Sequence, residues 1–232
     1  IKRAQREQAM LAGYTVVDCA TVITTHLSEI FKRYAPELLT RQDVQQLLDG
    51  LSTRYPKLVS EVTDAASLGV IQKVLKNLLS EGIPIKDLVT ILEVVSDWAP
   101  NVKDPDAITE YVRQALSRTI TSMFSDKDGT VNIALLDSAW ERILLDSFKQ
   151  GPQGGYLDLR PEIAQKLIDQ LEDVKKEFDS QGCKPAVLVP PVVRGHIRRL
   201  VERFVPDVAI ISSAELQPRT KIKTVKVLEL EP

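Results

Sequence analysis

Cysteine and histidine are scarce, with two of each in 232 residues. Cys19 and Cys183 lie far apart and outside any CxxC or Cys/His cluster. That argues against a disulfide framework and a structural zinc site, and a reducing cytosol is the expected compartment. Long apolar runs are missing too. No stretch approaches the ~18 apolar residues of a membrane span, and Ile1-Lys2-Arg3-Ala4-Gln5-Arg6 has no apolar signal-peptide core. The segment itself is therefore expected to be soluble. Because it starts without Met in a polar, helix-like stretch, it is also expected to be cut from something longer. An excess of one charge is lacking: 30 Lys and Arg against 32 Asp and Glu leave a formal charge of -2. Global attraction to nucleic acid or to an anionic membrane is not encoded, so any basic surface must be local. Aromatics make up only 5% of the chain, which disfavours the stacking platforms of single-strand binders. There is no P-loop and no GxGxxG.

What is present is 44% hydrophobic residues, enough for one large core or two small domains. Lys2 to Leu11 reads as a polar helix ended by Gly13, and Tyr14-Thr15-Val16-Val17 as a short β-favouring run. Asp18 is an N-cap, and Val22, Ile23, Leu27, Ile30 and Phe31 recur at helical spacing as a stripe expected to be buried. From Thr40 to Ser125 the pattern is almost wholly helical. Val44, Leu47, Leu48 and Leu51 form one stripe, and Val70, Ile71, Val74, Leu75 and Leu78 another. Pro84 is expected to open a third helix carrying Leu88, Ile91, Leu92 and Val95. Asp104-Pro105 opens a fourth as N-cap and N1, with Ile108, Val112, Ala115 and Leu116 facing inward. Connections near Tyr55-Pro56, Glu81-Gly82 and Ala99-Pro100 are short, as in a compact antiparallel bundle.

After Ser125 to Gly129 the period changes. A strand is expected over Val131 to Leu136, then a helix opened by a Ser138-x-x-Glu141 capping box. Next come a Gly151 to Gly155 loop, a helix from Pro161 to about Phe178, a buried strand Ala186 to Val189, a helix Val192 to Phe204 and a strand Val208 to Ile211. Lys221 to Leu228 closes the series as a strand whose lysines suit a sheet edge. The fold class is α+β with several subdomains: a mainly helical bundle followed by a small α/β unit. The polar, glycine-ended Ser125 to Gly129 segment is expected to act as a hinge, with a long helix from Pro105 to Phe124 running into it.

Few residues invite chemistry. The glycines of Gly151-Pro152-Gln153-Gly154-Gly155 follow a helix rather than a strand, so they turn the chain rather than cradle phosphate. His26 could face a groove or be a structural histidine. Arg194 with Arg198, and Arg199 with Arg203, share helix faces, which reads as a solvated basic surface or as a site for an acidic partner. Cys19 at a helix N1 position lacks a histidine to complete a nucleophile pair, so it reads as a small residue at a helix start. Trp98 and Trp140 read as packing residues. A small-molecule or hydrolytic enzyme and an unrelated helical adaptor are the rival readings.

Several blocks together say more than spacing does. Gly13-Tyr14-Thr15-Val16-Val17-Asp18 with Ala20-Thr21-Val22 and Thr25-His26-Leu27 resembles a signature of the export-gate family of type III secretion systems, flagellar and injectisome. Glu37-Leu38-Leu39 with Arg41-Gln42, Tyr55-Pro56-Lys57-Leu58-Val59, Ile71 to Leu75 with Asn77-Leu78-Leu79, and Thr109 to Leu116 continue it in order. So do Pro190-Pro191-Val192 and Phe204-x-Pro206-Asp207 with Glu215-Leu216. The likeness spans the chain, is weaker over Ser125 to Ile143, and leans toward the flagellar branch. Cys19 stands where the family has proline, which loosens the helix start without moving it.

The resemblance implies the cytoplasmic part of a bacterial inner-membrane protein that docks and gates rather than makes bonds. Residues 1-38 would be the C-terminal part of a first cytoplasmic subdomain, 39-118 a helical third subdomain and 119-232 an α/β fourth. The membrane domain, linker and second subdomain would be absent. It implies a nine-fold homo-oligomeric ring in the full-length protein, and export chaperones with their cargo and other export-apparatus components as partners. Thr25 would lie in the chaperone-substrate binding site, bordered by Val22 and His26. No cofactor, metal, nucleic acid or membrane contact by this segment is implied.

Overall fold

The computed structural model describes residues 5–151 and 154–230. The expected helix start at Lys2, and Pro152 and Gln153 of the glycine loop, lie outside these residues. The helical part comprises α1 (Arg6–Leu11), α2 (Cys19–Leu38), α3 (Arg41–Ser52), α4 (Pro56–Ala65), α5 (Leu68–Ser80), α6 (Leu88–Trp98), α7 (Pro105–Ala115) and α8 (Ser117–Phe124). Local chemistry fixes the starts. Asp18 accepts from Thr21 N at 2.7 Å, Thr40 and Asp43 form a reciprocal capping box, and Asp104 caps α7 with Pro105 at its first position.

Three expectations fail here for definable reasons. Tyr14 to Val17 joins no strand, since β propensity without a pairing partner makes none. The short connection expected near Tyr55-Pro56 is present, and Pro56 opens α4 there, because proline suits a first helical turn. Pro84 lies in a turn after Gly82 (φ 70°), and Asp87 caps α6 instead. The long helix from Pro105 is interrupted at Leu116, where ψ reaches 15°.

β1 (Thr130–Leu136), α9 (Ser138–Asp146), a hairpin of β2 (Phe148–Gly151) and β3 (Gly154–Leu157), α10 (Pro161–Ser180), β4 (Ala186–Val189), α11 (Pro191–Val201), β5 (Ala209–Ser212) and β6 (Lys221–Leu228) follow. The cap of α9 is Asp137, one residue before the expected Ser138, accepting from Trp140 N. The hairpin was not foreseen. The main sheet is parallel throughout in the order β5-β4-β1-β6, and β6 sits at an edge as its lysines led us to expect.

This sheet is the middle of three layers. Val131, Ile133, Ala186 and Ile211 on one face join the bundle residues Val44, Leu75, Leu92 and Ile120 in one core. Ala134, Val187, Val189 and Ile210 on the other face pack with Trp140, Leu171, Phe178 and Ile197. In the bundle, Trp98 stacks on Tyr111 with ring centroids 3.7 Å apart. Trp140 is fully buried and donates to Gln170 at 2.9 Å.

The segment expected to act as a hinge is tied into a hydrogen-bonded turn. Asp126 accepts from the backbone of Asp128 and Thr130, Asp126 N donates to Thr130 O, and Ser125 bridges to Val131. With an apolar core running past this turn, the expectation of two bodies moving about it is weakened.

A buried ion cluster crosses the same boundary. Arg113 of α7 grips Glu215, in the 3-10 turn Ser213–Glu215, through Nε at 3.1 Å and Nη2 at 2.6 Å, and its Nη1 lies 3.0 Å from Glu81. Arg194 of α11 donates to Glu81 at 2.7 and 3.2 Å and to Glu110 at 2.6 Å through Nε. Arg113 and Arg194 are 2% exposed and Glu215 is 1%. The solvated basic face expected for Arg194 and Arg198 is thus corrected: both are buried, Arg194 among Glu81, Glu110 and Glu215 and Arg198 with its Nη1 on the Pro206 and Val208 carbonyls. Burial opposes ionisation of Glu81, but Arg113 and Arg194 outweigh it and lower its pKa. For Glu110 burial wins over the bond to Arg194 and raises the pKa.

Removing one member strands a buried charge. Glu215→Ala is expected to cost about 3–5 kcal/mol in urea denaturation. Replacing Arg113 and Glu215 together by Met and Leu should cost less than the sum of the two single changes. Glu81, with its folded pKa depressed, contributes stability that is present above the unfolded value of about 4.3 and lost as pH falls through the folded value. Glu81→Gln should therefore make the acid-side loss of stability below about pH 4.3 shallower. The shared core also predicts one unfolding transition: fluorescence of Trp98 in Trp140→Phe and of Trp140 in Trp98→Phe should each coincide with that variant's far-UV circular dichroism. Two separated midpoints would contradict a common core.

Candidate functional site

The residues singled out by resemblance all lie on α2. Asp18 starts that helix, and Val22, Thr25 and His26 follow at spacings of three and four, so they share a face. All three are exposed, Val22 at 53%. The stripe expected to be buried is exposed as well: Ile23 at 59%, Leu27 at 45% and Phe31 at 60%, with no residue of α2 buried. Helical periodicity identified the apolar face correctly, but among the described residues much of that face stays open to solvent.

His26 alone of the three reaches a groove. This groove, of about 820 Å³, runs between the second half of α2 and the end of the sheet, with Ile30, Arg33, Phe124, Lys184 and Asp207 in its walls. Glu81, Arg113 and Arg198 of the ion cluster form its floor. Its lining is mixed in charge, apolar at Ile30, Ile83 and Phe124, and open to solvent.

A second groove of about 820 Å³ lies on the other side of the cluster, between α5 and α7 on one wall and β2, β3 and α11 on the other. Gly155 allows its packing, since a Cβ there would come within 2.5 Å of the Phe148 ring and 3.0 Å of His196 Nε2. His196 Nδ1 is 2.6 Å from an Arg199 nitrogen, and Arg199 reaches Asp106 at 3.0 Å. Burial and then the Arg199 charge hold the His196 pKa below its usual value. Gly195 serves the cluster in the same way: a Cβ would meet Glu110 Oε1 at 2.9 Å.

The grooves offer surfaces for binding, in which Arg113 and Arg194 are already paired with glutamates. Among the described residues no three His, Cys, Asp or Glu side chains converge as a metal site. Cys19 is an exposed thiol and Cys183 a half-buried one. No helix among the described residues is long and apolar enough to cross a membrane. Sequence reasoning missed the ion cluster, although a signal existed. Arg194, Ile197, Arg198 and Val201 run at i, i+3, i+4 and i+7, so the arginines lie on the apolar face of α11 rather than opposite it.

Comparison with known proteins agrees with this architecture. The flagellar biosynthesis protein FlhA of Bacillus subtilis is 36% identical over 99% of this chain, which spans only 34% of that relative's length. The Chlamydia pneumoniae CdsV protein, in its complex with CdsO, superposes with a TM-score of 0.84 at 31% identity, over 99% of this chain and 67% of CdsV. The nonameric EPEC SctV-C superposes with a TM-score of 0.82 at 27% identity, over 97% and 68% of the two chains. The sequence matches the FHIPEP family over residues 1–221, and the chain belongs to that family.

Proposed function

We propose that this chain is a docking and gating module on the cytoplasmic side of a flagellar type III export apparatus, part of a bacterial inner-membrane protein that receives chaperone-substrate complexes for export. Its role is binding, not catalysis. In the complete protein it contributes to a nine-fold ring, as EPEC SctV-C is nonameric, and it meets other export-apparatus components, as CdsV meets CdsO. Residues 1-38 are read as the end of a first subdomain, 39-118 as a helical third subdomain and 119-232 as an α/β fourth. The observation that carries the proposal is the near full-chain match to the family, with higher identity to a flagellar relative (36%) than to the injectisome structures (27% and 31%). The equivalent gate of a virulence injectisome is the alternative, supported by those same structural likenesses.

The chaperone-substrate site is placed at Thr25, with Val22 and His26 beside it. What supports this is the exposed apolar face of α2 with His26 at the mouth of a groove. Exposed apolar surface of this kind commonly marks an interaction site, and a few central residues carry most of the energy of such an interface. If a second wall lies outside this chain, the chain alone should bind a chaperone-cargo complex far more weakly than a longer cytoplasmic region does. Calorimetry giving equal affinities would count against the placement. In the longer region, Val22→Asp or Thr25→Glu should weaken binding by about tenfold or more. The chain's own stability should change by less than about 0.5 kcal/mol, because both side chains are exposed.

A further inference from the structure

The two edges of the main sheet are finished in opposite ways. β5 is closed: Ile210, Ile211 and Ser212 are at most 2% exposed. Ala209 donates to Pro185 beside β4, so by alternation Val208 and Ile210 turn their carbonyls outward. Those carbonyls are taken by Arg198 at 3.1 Å and by Arg194 at 3.2 Å. β6, at the other edge, is eight residues long, the longest strand in the sheet, and among the described residues it pairs only with β1. Its first four residues are all exposed.

The faces of β6 also differ. Parallel partners point to the same side, and Ile222 pairs with Val131 and Val227 with Leu135, both belonging to the face turned to the helical layer. Yet Ile222 is 49% and Val227 44% exposed. On the opposite face Lys221, Lys223 and Lys226 pair with Thr130, Asn132 and Ala134. Lys226 feels Asp173 of α10, which is itself paired with Lys176, and Lys221 and Lys223 remain exposed. An extra residue at Val225 breaks the register between Thr224 and Lys226.

We propose that the β6 edge is a docking strand for an extended acidic segment of a partner protein. That segment would add as a fifth strand, with apolar side chains beside Ile222 and acidic ones beside Lys221 and Lys223. A lysine-rich edge repels a second copy of itself, since like charges would stand opposite each other. The same lysines attract a strand in which acidic and apolar residues alternate. Main-chain hydrogen bonds then supply affinity, while the two unlike faces set orientation. The proposal is independent of the α2 site, because β6 and α2 do not share a groove.

The test uses a fluorescein-labelled peptide of four Val-Glu repeats titrated against this chain, followed by anisotropy. Saturable binding that weakens with added salt is expected. In Lys221→Glu/Lys223→Glu it should fall by about tenfold or more, with an unchanged melting temperature because both side chains are exposed. Peptides N-methylated on one alternate set of amides should lose binding, and those methylated on the other set should keep it. Equal effects of both sets, indifference to charge reversal, or equal binding of a Val-Lys repeat would overturn strand addition by an acidic segment. So would a concentration-dependent dimer that the peptide cannot dissociate.

Discussion

A parallel sheet only four strands wide has one edge for every two strands, and an edge buried in protein must find partners for its carbonyls. At β5 those partners are arginines. Their guanidiniums can reach outward carbonyls and carboxylates at once, because each carries five donors in a planar fork. Once Arg113, Arg194 and Arg198 are committed there, three carboxylates must follow them into the interior, since an isolated buried charge is too costly to keep. Glu81 arrives from the turn after α5, Glu110 from α7 and Glu215 from the turn after β5. The position of the helical layer against the sheet follows from that demand as much as from apolar packing.

The cluster also separates the two grooves. One groove meets it through Arg113 and Arg198, the other through Glu110 and Arg194, and Glu81 and Arg198 border both. Each groove therefore has a wall whose side chains are held in a bidentate network rather than free to rotate. Such walls present fixed charge to a protein ligand. By contrast the α2 face presents apolar side chains on a single helix, which can adapt to what covers them.

Much of the element order was legible from period and punctuation. Asp18, Thr40 and Asp104-Pro105 mark helix starts, and Ala186 to Val189 is a four-residue strand found where the apolar run put it. The two largest failures share a cause: sequence pattern is local, and the exposure of α2 and the ion cluster are not. The stripe of α2 has the right period, but period says which face is apolar and not whether anything lies against it. The pairing of Arg113 with Glu215 joins residues 102 apart, which no local window contains. Thr25, Val22 and His26 entered only through resemblance to a family. Their exposure and the groove at His26 required coordinates.

The span between Arg113 and Glu215 has a consequence for how the chain is made. The bundle residues that face the sheet are synthesised well before Ala186 and Ile211 exist to cover them, and Arg113 leaves the ribosome about 100 residues ahead of its carboxylate. At roughly 5–20 residues per second that interval lasts on the order of 5–20 s. Throughout it the nascent helices carry an uncovered apolar surface, and Arg113 has Glu81, already synthesised, but not Glu215 to meet its charge. The order of emergence makes the last quarter of the chain the step that locks the helical layer, which forms first and is completed last.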